Sequence, residues 1–153
     1  MVEYKIGNIL ESDCNYICHQ VNCKGAMGTG IAGQIRHKYP KVYIEYMEKC
    51  KAATAYPSHW FLGEIQIVEL GKYHNVINMF SQDTYGEIGR HTNYEAFMEC
   101  LLKIKEEVPV ESSIAFPYKI GCGLGGGNWE IIQAMIEQVF ADRDKVYIYK
   151  LED

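Results

Sequence analysis

The sequence predicts an α/β fold, with three α/β/α layers around a central mixed sheet. Short apolar runs of strand length alternate along the chain with longer segments whose apolar residues recur at helical spacing. Two adjacent strand-like runs in the middle are separated by only Gly71-Lys72-Tyr73-His74, a hairpin distance. Two glycine-rich turns, Gly25-Ala26-Met27-Gly28-Thr29-Gly30-Ile31-Ala32-Gly33 and Gly121-Cys122-Gly123-Leu124-Gly125-Gly126-Gly127, each follow a strand-like run and open a helix-periodic segment.

In chain order, Val2 to Ile6 alternates as a first strand, and Tyr16 to Val21 is a second apolar run ending just before the first glycine turn. Ile31, Ile35 and Tyr39 fall at i, i+4 and i+8, giving a short helix that stops at Tyr39, because Pro40 disfavours helical geometry in the residue before it. Pro40 is itself suited to the first position of the next helix, whose apolar face is Val42, Tyr43, Tyr46, Met47 and Cys50. A connection through Ala55-Tyr56-Pro57-Ser58 follows, and Trp60-Phe61 leads back into the sheet. Glu64 to Leu70 and Asn75 to Phe80 form the neighbouring strand pair. A polar loop from Ser81 to His91 precedes a helix carrying Tyr94, Phe97, Met98, Leu101, Leu102 and Ile104 on its apolar positions. Ser113 to Tyr118 is a strand, and the second glycine turn follows it. Asn128 is placed to cap a helix defined by Ile131, Ile132, Met135, Ile136, Val139 and Phe140, and Val146 to Tyr149 closes the sheet.

At 153 residues the chain is one domain, residues 1–153, able to bury roughly 70% of its unfolded surface without covalent help. Its six cysteines contain no CxxC pair and no leader-like segment opens the chain, so a reducing cytoplasm is expected. A formal charge of −5 without a basic stripe argues against nucleic acid as a primary ligand, since affinity for a polyphosphate backbone comes largely from lysine and arginine. An anionic small molecule remains compatible, because oriented main-chain N–H groups bind phosphate in an acidic protein. No apolar run approaches the roughly 20 residues of a membrane span. The sequence calls for no metal and no cofactor.

Glycine at a helix start lets a ligand approach N–H groups that have no helical partner and carry the positive end of the helix dipole. Two such turns predict two bound phosphates. Gly28-Thr29-Gly30-Ile31-Ala32-Gly33 matches GxGxxG, but the turn is not tight against Val21. Glu45 and Glu48, at the spacing of the acidic ribose ligand, fall in a helix rather than at a strand end. A nicotinamide oxidoreductase is therefore the less favoured class. Neither turn is followed by the lysine and hydroxyl residue of a P-loop, which argues against NTP hydrolysis.

His19-Gln20-Val21-Asn22, Gly25 to Ala32, and Phe116-Pro117-Tyr118-Lys119-Ile120 running through the second glycine turn to Asn128-Trp129 together resemble a macrodomain. The resemblance covers nearly the whole chain, including Gly7-Asn8-Ile9 and Asn78-Met79-Phe80. It is nearest the compact branch of terminal ADP-ribose glycohydrolases, DNA ADP-ribosyl glycohydrolase antitoxins and ADP-ribose 1''-phosphate phosphatases. It implies that ADP-ribose, free or on an ADP-ribosylated substrate, nucleic acid included, is the partner. Adenine would lie by Asn8 and Ile9, where the family usually has aspartate in place of Asn8. The pyrophosphate would sit between Gly28, Thr29, Gly30 and Ile31 of loop one and Gly121, Cys122, Gly123, Leu124, Gly125 and Gly126 of loop two. The distal ribose would rest against Asn22.

The same resemblance implies that hydrolysis, where it occurs, takes place at the distal ribose, on an ADP-ribosyl ester-type linkage or the 1''-phosphate. The terminal glycohydrolases place a lysine near the Met79–Phe80 position and an aspartate where this chain has Gly125. Both are absent, so a covalent lysine–ribose route is not carried over. His19 aligns with a histidine of the phosphatase branch and is the first candidate for proton transfer, with Asp83 second, then Tyr85, Glu87 and His91 in the polar loop. The bland alternative for His19 is an inward strand residue bonded to the backbone. Cys23 and Cys122 read as small buried side chains, and Lys24 and Lys119 as ordinary solvated lysines, with attraction of an anionic ligand as the alternative. A non-catalytic ADP-ribose reader is the alternative function.

Overall fold

A computed structural model describes residues 1–28, 30–52, 61–83, 89–123 and 125–152. Six strands form one sheet: β1 (Val2–Ile6), β2 (Tyr16–Asn22), β3 (Ile65–Gly71), β4 (His74–Gln82), β5 (Ile114–Pro117) and β6 (Val146–Lys150). Their order is β1-β6-β5-β2-β4-β3, parallel throughout except for the β3–β4 hairpin. The helices are α1 (Gly30–Lys38), α2 (Pro40–Ala52), α3 (Tyr94–Glu107) and α4 (Trp129–Val139). The α/β/α layers around a mixed sheet are thus as the sequence predicts.

Burial on both faces explains why the central strands read as continuous apolar runs. Alternate residues feed two cores. Cys18, Ile77, Met79, Ile114, Phe116 and Ile148 pack with α3 and α4, while Ile17, Val21, Val76, Phe80 and Ala115 pack with α1 and α2. The helix boundaries follow local chemistry. α1 ends at Lys38 and α2 starts on Pro40. Asn128 Oδ1 accepts from Glu130 N at 2.9 Å, and Asn93 Oδ1 accepts from Ala96 N at 2.9 Å as the cap of α3.

Topology opens the site. β2 and β5 are neighbours, yet they pair only at Tyr16–Ile114 and Ile17–Ala115. From β5 the chain crosses by α4 to β6 on one side, and from β2 it crosses by α1 and α2 to the β3–β4 pair on the other. The gap between the carboxyl ends of two such strands is where open α/β sheets hold ligands.

Candidate functional site

A cleft of about 670 Å³ occupies that gap, within the usual range for a small-molecule site. One wall is loop one and the first turn of α1, with Gly28, Gly30, Ile31 and Ala32; the other is made by Pro117, Tyr118, Lys119, Ile120, Gly121, Gly123 and Gly125. His19, Gln20, Asn22 and Gln82 form the polar part between them. A second hollow of about 300 Å³ adjoins it through Ile31, Pro117 and Tyr118, and is lined by Asn8, Ile9 and Tyr149. Trp129 packs edge-on against Tyr118, 5.1 Å between ring centres, supporting the shared wall from beneath.

Loop one is held by an unusual concentration of bonds on Asn22. Its Oδ1 accepts from Lys24 N (2.9 Å), Ala26 N (3.2 Å) and Tyr46 Oη (2.9 Å), and its Nδ2 donates to Ala26 O at 2.7 Å. The single Tyr46 O–H is shared between Asn22 Oδ1 and Asn22 O, the latter 2.7 Å away, and Tyr46 Oη accepts from Gly25 N at 3.1 Å. Asn22 therefore shapes the loop with its carbonyl and keeps one amide hydrogen for a ligand. Gly33 must be glycine, because a Cβ there would lie 2.9 Å from Gly28 O.

Loop two is clamped by the segment preceding α3. His91 N and Thr92 N both donate to Gly125 O, at 2.7 and 2.9 Å, and Thr92 Oγ1 donates to Gly121 O at 2.7 Å. Gln20 Nε2 donates to Thr92 Oγ1 (3.0 Å) and to Gln82 Oε1 (2.8 Å), while Ser81 Oγ donates to Gln20 Oε1 (2.8 Å). A Cβ on Gly125 would stand 2.6 Å from Thr92 Oγ1, 2.8 Å from Gly121 O and 2.9 Å from Gln20 Nε2. No side chain fits at Gly125, so an aspartate there is sterically excluded as well as absent. Met79 and Phe80 are fully buried in opposite cores, and the strand-end side chain that reaches the cleft is Gln82.

His19 is buried and its Nε2 lies 2.5 Å from Asn78 Oδ1. Burial, opposed by that hydrogen bond, lowers its pKa from 6.5 to about 4, so the ring is neutral at pH 7. Its Nδ1 is buried without a partner. The bond runs to a side chain rather than to the backbone carbonyl of the bland reading. Asp83 lies just beyond β4, where its carbonyl accepts from Cys23 N at 3.2 Å, and it is not among the described residues lining the cleft. His91 serves loop two through its backbone, and its Nε2 is buried without a partner.

Asn8 Oδ1 accepts from Leu10 N at 3.0 Å, capping a short 3-10 turn, and one lone pair remains for a ligand. Cys122 and Gly126 do not line the cleft. Cys122 packs toward the α3–α4 core, and Gly126 lies against Gly89 O, 2.6 Å from its would-be Cβ. Burial pushes the Cys23 thiol up to about 12 and raises that of Cys122, so neither is a thiolate nucleophile. Lys119 is the one formally charged residue among the described cleft-lining residues. Thr29, Leu124, Tyr85 and Glu87, with Trp60, lie outside the described residues.

The sequence reading missed Gln20, Gln82 and Thr92 around loop two, and Asn78 and Gln66 behind His19. For Gln20, Asn78 and Gln82, a polar residue inside a central strand was the available signal, since each must find a partner.

A gap at the carboxyl ends of parallel strands, walled by a helix N-terminus and a second glycine loop, defines an α/β protein built to hold an anionic small molecule. Residues 18–136 match the Macro domain family, and the chain belongs to it. It is 31% identical over 144 residues to a 17.5 kDa protein of Enterobacteria phage T4, covering 90% of this chain and 88% of that one. It is 27% identical over 143 residues to the DNA ADP-ribosyl glycohydrolase of Mycobacterium tuberculosis, covering 92% of this chain but only 39% of that protein. The macrodomain of Mycobacterium tuberculosis DarG superposes with a TM-score of 0.80 at 26% identity, over 97% of both chains.

Proposed function

We propose that residues 1–153 form a single macrodomain that binds ADP-ribose and hydrolyses a bond at its distal ribose, either an ADP-ribosyl ester-type linkage or the 1''-phosphate. The observation that carries this reading is the cleft running from the hollow of Asn8 and Ile9, between the two glycine loops, to His19. Adenine occupies the small hollow. The pyrophosphate meets the first-turn N–H groups of α1 and loop two, with Gly28, Gly30 and Ile31 facing Gly121, Gly123 and Gly125. Asn22 donates to the distal ribose. The two loops preorganise the anion, and a water held by the substrate attacks while neutral His19 accepts its proton. Asp83 is the secondary candidate for that proton. The substrate is an ADP-ribosylated macromolecule or ADP-ribose 1''-phosphate, and the six cysteines, free in the structure, suit the cytoplasm. No described helix is long and apolar enough to cross a membrane.

A second reading, an ADP-ribose reader without turnover, is favoured by the space around Gly125, which admits no carboxylate. Incubation with ester-linked ADP-ribosyl substrates and with ADP-ribose 1''-phosphate separates the two. Release of ADP-ribose, with the acceptor or inorganic phosphate, supports the hydrolase; binding of both substrates without release selects the reader.

A further inference from the structure

His19, Asn78 and Gln66 stand directly opposite one another on three adjacent strands, β2, β4 and β3. Their side chains form a line of hydrogen bonds. Asn78 Nδ2 donates to Gln66 Oε1 at 2.9 Å, and Gln66 Nε2 donates to the main-chain carbonyl of Glu45 in α2 at 3.0 Å. A carbonyl oxygen only accepts, and this fixes the direction of every other bond in the line. The Gln66 group facing Glu45 must be its NH₂, so its oxygen faces Asn78. The Asn78 group facing Gln66 must then be its NH₂, so its oxygen faces His19. His19 Nε2 must therefore carry the hydrogen, and Nδ1 is left as a bare lone pair.

We propose that Gln66 and Asn78 are positioning residues that lock His19 in the Nε2–H tautomer, so that Nδ1 serves the cleft as a hydrogen-bond acceptor for an O–H donor of the bound ligand or its attacking water. Two independent observations support it. Nδ1 is buried with no partner among the described residues, whereas Nε2 of the same ring, Asn78 and Gln66 are all hydrogen-bonded. His19 also lines the cleft between the two loops. The line involves no charged side chain, since Glu45 contributes its main chain and its carboxylate turns to Lys41, 3.7 Å away. The one unpaired nitrogen of the ring thus accepts rather than donates, which assigns it the proton-accepting half of a hydrolysis. This role rests on the ADP-ribose reading of the cleft; the tautomer lock does not.

Long-range ¹H–¹⁵N correlation of the histidine rings in the uniformly labelled, intact chain tests the lock directly. The expected result is a protonated Nε2 and an unprotonated Nδ1 for His19 at neutral pH. A protonated Nδ1, or a doubly protonated ring, overturns it. Gln66→Met removes the directing bond and is expected to mix the tautomers and lower kcat about tenfold with KM unchanged, since the side chain lies two bonds behind the ring. Gln66→Glu, as the neutral acid, donates its O–H to Glu45 O and accepts from Asn78 with its carbonyl, and is expected to restore the wild-type pattern. Retention of one tautomer and full kcat in Gln66→Met overturns the positioning role. Adding ADP-ribose separates this inference from the reading beneath it. A shift at Nδ1 together with the loop amides supports the acceptor role, whereas loop amides that move while Nδ1 does not refute it. If no signal moves and the tautomer is as expected, the ADP-ribose reading and the acceptor role fall while the lock stands.

Discussion

Thr92 and Gly125 contend for the same space: Thr92 N donates to Gly125 O at 2.9 Å, and Thr92 Oγ1 stands 2.6 Å from where a Cβ on Gly125 would lie. Gly121 O, at 2.8 Å from the same point, is main chain and cannot rotate away. Gly125→Ala is therefore expected to destabilise the fold by about 1–3 kcal/mol and to weaken ADP-ribose binding, because loop two must shift. Urea unfolding and calorimetry on the same sample check it. A variant with wild-type midpoint and affinity would show that loop two yields freely.

Tyr46 holds loop one from below. Tyr46→Phe keeps the ring stacked on Phe80, 5.9 Å between centres, but strips the hydroxyl from Gly25 N and Asn22. The expected loss is about 1–3 kcal/mol of stability, with weaker ADP-ribose binding, since buried groups lose partners while packing is retained. Equal affinity in the variant, measured calorimetrically, would show that the loop keeps its shape without this bond.

His19 links stability to pH. In the folded chain its pKa is about 4, against 6.5 for the ordinary side chain. Between those values the unfolded chain binds the extra proton and the folded chain does not. Stability is therefore intact above about pH 6.5 and falls as pH is lowered toward 4, by on the order of 3 kcal/mol. Urea midpoints across that range should fall less steeply in His19→Gln, which lacks the titrating ring; identical slopes would contradict the shift.

The same variant bears on chemistry. His19→Gln is expected to lower kcat for release of ADP-ribose by about 10²–10⁴-fold with KM little changed. Full turnover would remove His19 from the mechanism and leave Asp83 as the candidate.

The layers were legible because strand-length and helix-length apolar runs alternate cleanly, and because Pro40 and Asn128 mark boundaries by local chemistry. Gly28, Gly30 and Ile31 of loop one and Gly121, Gly123 and Gly125 of loop two were legible as cleft walls, since a glycine turn between strand and helix has few other uses. The functions of Gln20, Gln66, Asn78 and Thr92 were not, because each depends on cross-strand register or on a contact between distant segments. Asn22 was legible as a site residue, but its work in holding loop one emerged only once Tyr46, on α2, was seen beneath it. Cys122 and Gly126 carry the right residue types for loop two, yet the fold turns them toward the core and toward Gly89.

Calorimetric titration with ADP-ribose, using AMP and NAD as controls, tests the central claim most directly. Saturable binding of ADP-ribose, tighter than either control, is the predicted result. No heat with ADP-ribose, or affinity no better than that of AMP, would mean that the glycine loops do not hold its pyrophosphate and distal ribose, and the hydrolase and the reader would fall together.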